Sequence, residues 1–214
     1  MTERLEKLFS LVIKCKIFGD VGCDHGYISE AVLESGKAGF VVATDISPLS
    51  LEKCKSLLAD RFVGKYSCYA TDGLKGVKER PDEVFIAGMG GKEMISVLSA
   101  LDYRPERLVL QPMKSAKELR EYLLKRGYCI EKDFMFFSLD KHYDVIVAAM
   151  GLKTKPYTED ELKFGRDNLS GNKDFQRLLD IKISVLEKAL MTAEKEETKQ
   201  NLQEELNALK RLKL

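Results

Sequence analysis

The residues able to do chemistry fall at the ends of apolar runs. Phe18-Gly19-Asp20-Val21-Gly22-Cys23-Asp24-His25-Gly26-Tyr27 reads as a short strand ending in an acid, a tight turn with glycines at Gly22 and Gly26, and a helix opening at Tyr27. About 20 residues further on, the run Phe40-Val41-Val42-Ala43-Thr44 ends in a second acid, Asp45. Asp72-Gly73, Gly88-Met89-Gly90-Gly91 and Gln111-Pro112 close three later runs. Gly22 and Gly26 let the backbone turn and approach a ligand with no Cβ in the way. Amides at the start of the following helix can hold a carboxylate. Asp45 is placed to accept from both hydroxyls of a ribose, and Asp72 from an adenine amino group. Each piece alone is weak, since Asp45 could be a helix cap and Asp72-Gly73 an ordinary turn. Together, at successive strand ends, they are the signature of a Rossmann-like nucleotide or nucleoside site.

The elements that must position these residues alternate. Leu5, Leu8, Phe9, Val12 and Ile13 recur at helical spacing, and Thr2 is a suitable cap, so a helix is expected over 2–14, packed on the sheet edge or serving as a flap over the site. Strands are expected at 66–70, 83–87 and 107–110, with helices from Tyr27, from Ser47-Pro48, from Lys92 and from about Ser115. Two more runs, 128–137 and 143–150, read as an antiparallel hairpin. The fold expected is α/β, a Rossmann-like class I methyltransferase sheet of seven strands with the last pair antiparallel. A dehydrogenase would more often continue as a second strand–helix–strand half. After Met150 the character changes. Lys153-Thr154-Lys155-Pro156 reads as a linker, and two amphipathic stretches, about 174–193 and 197–212, read as an αα-hairpin of coiled-coil type. The expected domains are residues 1–152 for cofactor binding and 153–214 as a helical aid to substrate binding.

Asp24 stands where a dinucleotide fingerprint would place a second glycine. A carboxylate there sits badly against a pyrophosphate and well beside a sulfonium or an amino group, which favours S-adenosylmethionine over NAD. His25 could touch cofactor or substrate, or fix the turn. His142 is expected in a solvated hairpin turn, and neither histidine has metal-ligand spacing. Composition is that of an ordinary globular chain: 214 residues, 44% hydrophobic, 32% charged, net charge +1. No apolar run reaches the roughly 20 residues that span a bilayer. The five scattered cysteines read as reduced thiols of a cytoplasmic protein. A near-neutral net charge means that any grip on nucleic acid is local. Lys114, Lys117, Arg120, Lys125 and Arg126 fall near one helix, and the tail adds Lys182, Lys188, Lys199, Lys210, Arg211 and Lys213.

Asp20-Val-Gly-Cys-Asp24-His25-Gly-Tyr27, Ile86-Ala-Gly-Met-Gly-Gly91, Leu110-Gln-Pro112 and Tyr143-Asp-Val-Ile-Val-Ala148 resemble the bacterial tRNA adenine-22 N1-methyltransferases. The resemblance covers residues 1–150, and the tail, with Phe164-Gly165 in its approach, looks like that family's helical coiled-coil domain. It implies methyl transfer to N1 of an adenosine in the tRNA D-arm. Two departures stand out. Met113 follows Gln-Pro where the family usually has Asn, and Thr44-Asp45-Ile46 stands where it usually has a glutamate-containing segment. The cofactor set expected is Asp20, Gly22, Cys23, Gly26, Asp45, Ile46, Asp72, Gly73, Ala87 and Gly88. The acceptor base is expected against Tyr27, Met89, Gly90, Gly91, Gln111, Pro112 and Met113, with Gly88 to Gly91 as a bare-backbone platform. Asp24 and His25 are the catalytic pair. The partner expected is tRNA, with no membrane, and a monomer is the favoured state. The alternatives are a class I methyltransferase acting on another acceptor and a cofactor-binding RNA-binding protein that has lost catalysis.

Overall fold

The computed structural model describes residues 1–151 and 155–213. A seven-stranded sheet in the order β3-β2-β1-β4-β5-β7-β6 forms the body. Its strands are β1 (Cys15–Val21), β2 (Ala38–Asp45), β3 (Tyr66–Ala70), β4 (Glu83–Met89), β5 (Arg107–Pro112), β6 (Tyr128–Ser138) and β7 (Lys141–Met150). The first five are parallel, and β7 inserts antiparallel between β5 and β6. Helices α1 (Glu3–Phe9), α2 (Tyr27–Glu34), α3 (Pro48–Leu58), α4 (Gly91–Ser99) and α5 (Ala116–Lys125) cover the two faces. The central strands are apolar on both sides, as a covered parallel sheet requires: Val41, Val42 and Ala43 of β2 are all fully buried. Two clusters of buried side chains, one per face, make the core.

Local chemistry explains most boundaries. Ser47 caps α3 through its hydroxyl, which accepts from the Ser50 amide at 3.3 Å, and Pro48 occupies the first turn. Thr2 caps α1 as expected, but α1 stops at Phe9 rather than running to residue 14. Lys37 Nζ donates to the Phe9 and Val12 carbonyls, at 3.1 and 2.6 Å, and so closes the chain just past the helix end. Val12 is buried from a turn, which mimics helical spacing. His142 lies in β7 opposite Phe137, not in the hairpin turn; the turn is Leu139-Asp140. The register there is Ser138 to Lys141, so the two strands run to within two residues of each other.

The tail forms α6 (Glu159–Phe164), α7 (Arg166–Leu169), α8 (Lys173–Thr192) and α9 (Glu196–Arg211). The linker expected at 153–156 falls partly on 152–154, outside the described residues. α8 and α9 pair as a hairpin around Leu179, Ile183, Leu206 and Leu209. The tail docks on the outer edge of β6. Asp133 N–H donates to Asp167 (2.7 Å), Met135 N–H to Asn168 (2.8 Å) and Phe137 N–H to Asp174 (3.2 Å). Side chains thus do what a further strand would do, and the sheet edge is closed. Among the described residues no helix is long and apolar enough to cross a membrane.

Candidate active site

Two cavities open at the carboxyl ends of the parallel strands and meet at Gly22. One, of about 190 Å³, is lined by Arg4, Leu5, Asp20, Gly22, Cys23, Asp24, His25, Tyr27, Ile28, Phe85, Ala87 and Gly88. The other, of about 390 Å³, is lined by Gly22, Asp45, Ile46, Thr71, Asp72, Met89, Glu93, Ser96 and Val97. A Cβ on Gly22 would lie 2.6 Å from Met89 Cε, and its φ is +72°, so only glycine leaves the shared wall as bare backbone. A further cavity, of about 420 Å³, lies at the opposite end of the sheet. There Arg107 is already paired with Glu83 (3.2 Å) and Glu131 (3.0 Å), so its charges are spent on one another. The carboxyl ends, where an open α/β sheet binds its ligands, are the site.

The turn after β1 is held by its own amides. Gly22 and Cys23 N–H both donate to Thr44 O, at 2.8 and 2.9 Å, and Gly26 N–H donates to Cys23 O at 2.8 Å. Asp24 N–H donates to Asp45 Oδ2 at 3.0 Å, while Ser47 N–H donates to Asp45 Oδ1 at 2.8 Å. Asp45 therefore shapes both loops and keeps lone pairs for a ligand, since a carboxylate accepts up to about four bonds. Asp24 sits in the left-handed region, φ +49°, the conformation of the glycine it replaces. Aspartate tolerates this better than most residues, at a cost of roughly 1 kcal/mol. In return a carboxylate stands at the mouth of the cavity. Its Oδ1 accepts from Ser50 Oγ (3.3 Å) and lies 3.5 Å from His25 Nε2. His25 Nε2 is also 3.1 Å from Lys53 Nζ, and its ring lies against Tyr27 at 5.8 Å. Asp20 is only 2% exposed and accepts from Ser29 Oγ at 2.6 Å. Burial, more than the nearby Asp45 charge, pushes its carboxyl up to about 6.

Of the residues expected at the site, Asp20, Gly22, Cys23, Asp24, His25, Tyr27, Asp45, Ile46, Asp72, Ala87, Gly88 and Met89 line the two cavities. Others do not. Gly26 and Gly73 are turn glycines with φ +80° and +64°, and a Cβ on either would strike Cys54 or Val97. The expected Gly88 to Gly91 platform narrows to Gly88. Gly90 and Gly91 are buried, and Gly91 lets the Lys114-Ser115 backbone cross at close range: a Cβ there would lie 2.3 Å from Ser115 O. Gln111 and Pro112 are buried as well, and Gln111 Oε1 accepts from Arg4 Nε and Nη2, at 2.9 and 2.5 Å. Only Met113 reaches the surface, with its Sδ 3.4 Å from Gln111 Nε2. Arg120 is fully buried against Asp133 and is no part of a basic surface.

Sequence reasoning missed Arg4, Leu5, Ile28, Thr71, Phe85, Glu93, Ser96 and Val97. A signal existed for Glu93. It lies three residues after Gly90 and accepts the Gly90 N–H at 2.5 Å, half of a capping box. For Arg4 the only hint was the possibility that the first helix is a flap.

The donor set suits S-adenosylmethionine. The smaller cavity carries opposite charges, Arg4 against Asp20, which match an α-amino acid end, with Asp24 at its mouth. The larger one joins carboxylates Asp45 and Asp72 to apolar Ile46, Met89 and Val97, which match a nucleoside. Between them stand Asp24 and Asp45, where a pyrophosphate would meet negative charge.

Sheet order, the antiparallel last pair and this cavity pair define the Rossmann-like methyltransferase class. The chain belongs to the family of methyltransferase domains, whose model matches residues 1–146. It is similar to the tRNA (adenine(22)-N(1))-methyltransferase of Bacillus subtilis, 26% identical over 227 residues that span 100% of this chain and 95% of that one. Its fold matches M. capricolum TrmK, a structure containing S-adenosyl-homocysteine, with TM-score 0.87, 21% identity and coverage of 99% and 96% of the two chains. It also matches B. subtilis TrmK, with TM-score 0.81, 23% identity and coverage of 99% and 98%.

Proposed function

We propose that the protein transfers a methyl group from S-adenosylmethionine to N1 of the adenosine at position 22, in the D-arm of tRNA. The observation that carries this is the end-to-end similarity to the B. subtilis enzyme, tail included. When bound, the cofactor supplies an electrophilic methyl on a sulfonium, which leaves with the N1 lone pair as its new bond while sulfur keeps the old electron pair. N1 needs no deprotonation, so the work left to the protein is alignment and exclusion of water. N1 also lies on the pairing edge, so the adenosine has to be unpaired or turned out of its helix first. Asp24 is the acceptor for the exocyclic amino group, with His25 holding that carboxylate in place. Tyr27 and the exposed backbone of Gly88 give the base its faces, and Met113 borders it with an apolar thioether in place of an amide.

Residues 155–213 help to hold the tRNA through lysines of α8 and α9. Deleting them is a poor test, because they close the edge of β6. Replacing Lys182 and Lys188 by Glu should weaken tRNA binding and leave S-adenosylhomocysteine binding unchanged.

The deciding experiment incubates protein, methyl-labelled cofactor and tRNA transcripts and maps the label. It should appear at N1 of adenine 22 and vanish when that base is guanine. Label at another position or in no tRNA overturns the proposal. Asp24→Ala and His25→Ala should each lower turnover about tenfold or more, the worth of one charge-assisted hydrogen bond, with little loss of cofactor affinity. Wild-type rates in both variants would remove the pair from catalysis.

A further inference from the structure

The cysteines are scattered in the sequence, and the fold gathers three of them beneath the turn after β1. Cys23 and Cys54 are buried in one cluster, and Cys68 of β3 packs against it. All three are free thiols. The Cys54 thiol is hydrogen-bonded to both Cys23 and Cys68, so the three sulfurs form one chain. Gly26 allows the close approach. Its N–H donates to Cys23 O at 2.8 Å, its φ is +80°, and a Cβ on it would lie 2.5 Å from Cys54 Sγ and 3.1 Å from Cys54 Cα. The turn therefore rests directly on α3 at Cys54. Access differs along the chain. Cys54 is sealed at 0% exposed, and its hydrogen bond to Cys23, together with burial, pushes its thiol well above the ordinary cysteine value. Cys23 is 7% exposed and lines the smaller cavity beside Asp24 and His25. Methyl transfer to N1 uses none of these sulfurs.

We propose that Cys23 and Cys54 form a redox pair, which a peroxide converts to a disulfide that switches off cofactor binding. This rests on S-adenosylmethionine being the cofactor. The cavity admits a molecule of peroxide's size to Cys23 and not to Cys54. The Cys23 sulfur attacks one peroxide oxygen, the O–O bond breaks, water leaves, and Cys23 becomes a sulfenic acid. The Cys54 sulfur then attacks the Cys23 sulfur, and the hydroxyl departs with the Cys54 proton as a second water. Two thiols have given up two hydrogens and two electrons, and one peroxide has become two waters. An S–S bond of about 2.05 Å is far shorter than a thiol hydrogen bond, so the bridge draws Cys23 off the cavity wall toward α3. The strain falls on the bonds that shape both cavities, from Gly22 and Cys23 N–H to Thr44 O and from Asp24 N–H to Asp45 Oδ2. Cys68 stands behind Cys54 as its second hydrogen-bond partner and takes no part in the bridge. A bound cofactor fills the cavity and shields Cys23, so the protein is oxidised only when its site is empty.

The test treats full-length protein with hydrogen peroxide, with and without saturating S-adenosylhomocysteine, and maps unreduced peptides by mass spectrometry. A Cys23–Cys54 cross-link should form, and bound S-adenosylhomocysteine should slow it. Affinity for S-adenosylhomocysteine should fall about tenfold or more and recover with dithiothreitol. In Cys54→Ser the sulfenic acid has no thiol to resolve it, so the loss should persist after dithiothreitol, with Cys23 found as sulfinic acid. Cys68→Ser should keep the reversible switch. Each protein is compared with its own reduced form, and thermal melts of the reduced forms check folding. A bridge between Cys54 and Cys68, oxidation confined to Cys15 and Cys129, or a bridged protein that binds as tightly as the reduced one overturns the proposal. If reduced wild type does not bind S-adenosylhomocysteine, the cofactor assignment itself fails; that result is distinct, and the peptide map still decides the disulfide.

Discussion

Asp133 and Asp20 are both sealed from solvent, 1% and 2% exposed, and burial raises both carboxyls. Their surroundings differ. Both oxygens of Asp133 face Arg120 Nε, at 2.8 and 2.9 Å, and Oδ2 also accepts from Arg166 N–H at 3.2 Å. Arg120 goes on to Leu162 O at 3.1 Å, so one ion pair ties α5, β6 and the tail together. Asp20 accepts from Ser29 and, among the described residues, forms no ion pair. A buried charge with its partner in place holds a structure together. One that lines a cavity with its partner missing marks a site where a ligand completes the pair.

Removing the partner at the first site should give the largest effect. Arg120→Ala leaves Asp133 buried without its cation, which costs about 3–5 kcal/mol. Chemical denaturation should show this loss, and limited proteolysis should release the tail first. The affinity of the remaining folded protein for S-adenosylhomocysteine should not change. A loss below about 1 kcal/mol, the worth of an ordinary hydrogen bond, would place the tail's anchor elsewhere.

That pair was not legible in the sequence, and the reason is physical. Arg120 sits among Lys114, Lys117, Lys125 and Arg126, and a basic helix near a nucleotide site reads as a surface. Only the fold shows that Asp133, thirteen residues on, meets it inside. The sheet, by contrast, was nearly all readable. Its signals are local: an apolar run ending in an acid, a serine before a proline, a glycine at a helix end. The acids Asp20, Asp45 and Asp72 could be picked out because each stands at or just past the end of its own strand. Arg4 could not, because it reaches the cavity from a separate helix by a contact with Gln111, 107 positions away. Gly90 and Gly91 misled for the opposite reason. Glycine serves ligand approach and close packing alike, and here it serves packing.

At the second site the expected effect is smaller and depends on pH. The Asp20 carboxyl stands near 6 in the folded protein against an ordinary value of 3.8. The native state therefore holds this proton more tightly than the unfolded chain. Its contribution to stability is complete below 3.8 and is lost as pH rises through about 6. An ammonium ligand prefers the ionised form, so the sign for binding is reversed. Affinity for S-adenosylhomocysteine should rise roughly tenfold between pH 5 and 7 and then level off, with proton release on binding in the lower half of that range. Asp20→Asn should bind weakly at every pH and lose the slope. A slope that survives in this variant would belong to another group, and Asp20 would then resemble Asp133 more than the comparison allows.

The smallest effect sharpens the tail side. Asp174 accepts the Phe137 N–H at 3.2 Å and also stands in the first turn of α8. Two contributions are mixed there: the edge bond to β6, about 0.5–1.5 kcal/mol, and the favourable interaction of a negative charge with the helix start, about 0.3–1 kcal/mol. Asp174→Ala removes both, while Asp174→Asn keeps an acceptor for Phe137 and removes the charge. If closing the sheet edge is what matters, the Asn variant should recover more than half of the stability lost in the Ala variant, and hydrogen exchange at Phe137 should slow again. If the two variants are equally unstable, the charge at the helix end carries the effect and the edge bond adds little. Neither variant should alter cofactor affinity, because no group at this edge lines the cavities where Asp20 stands.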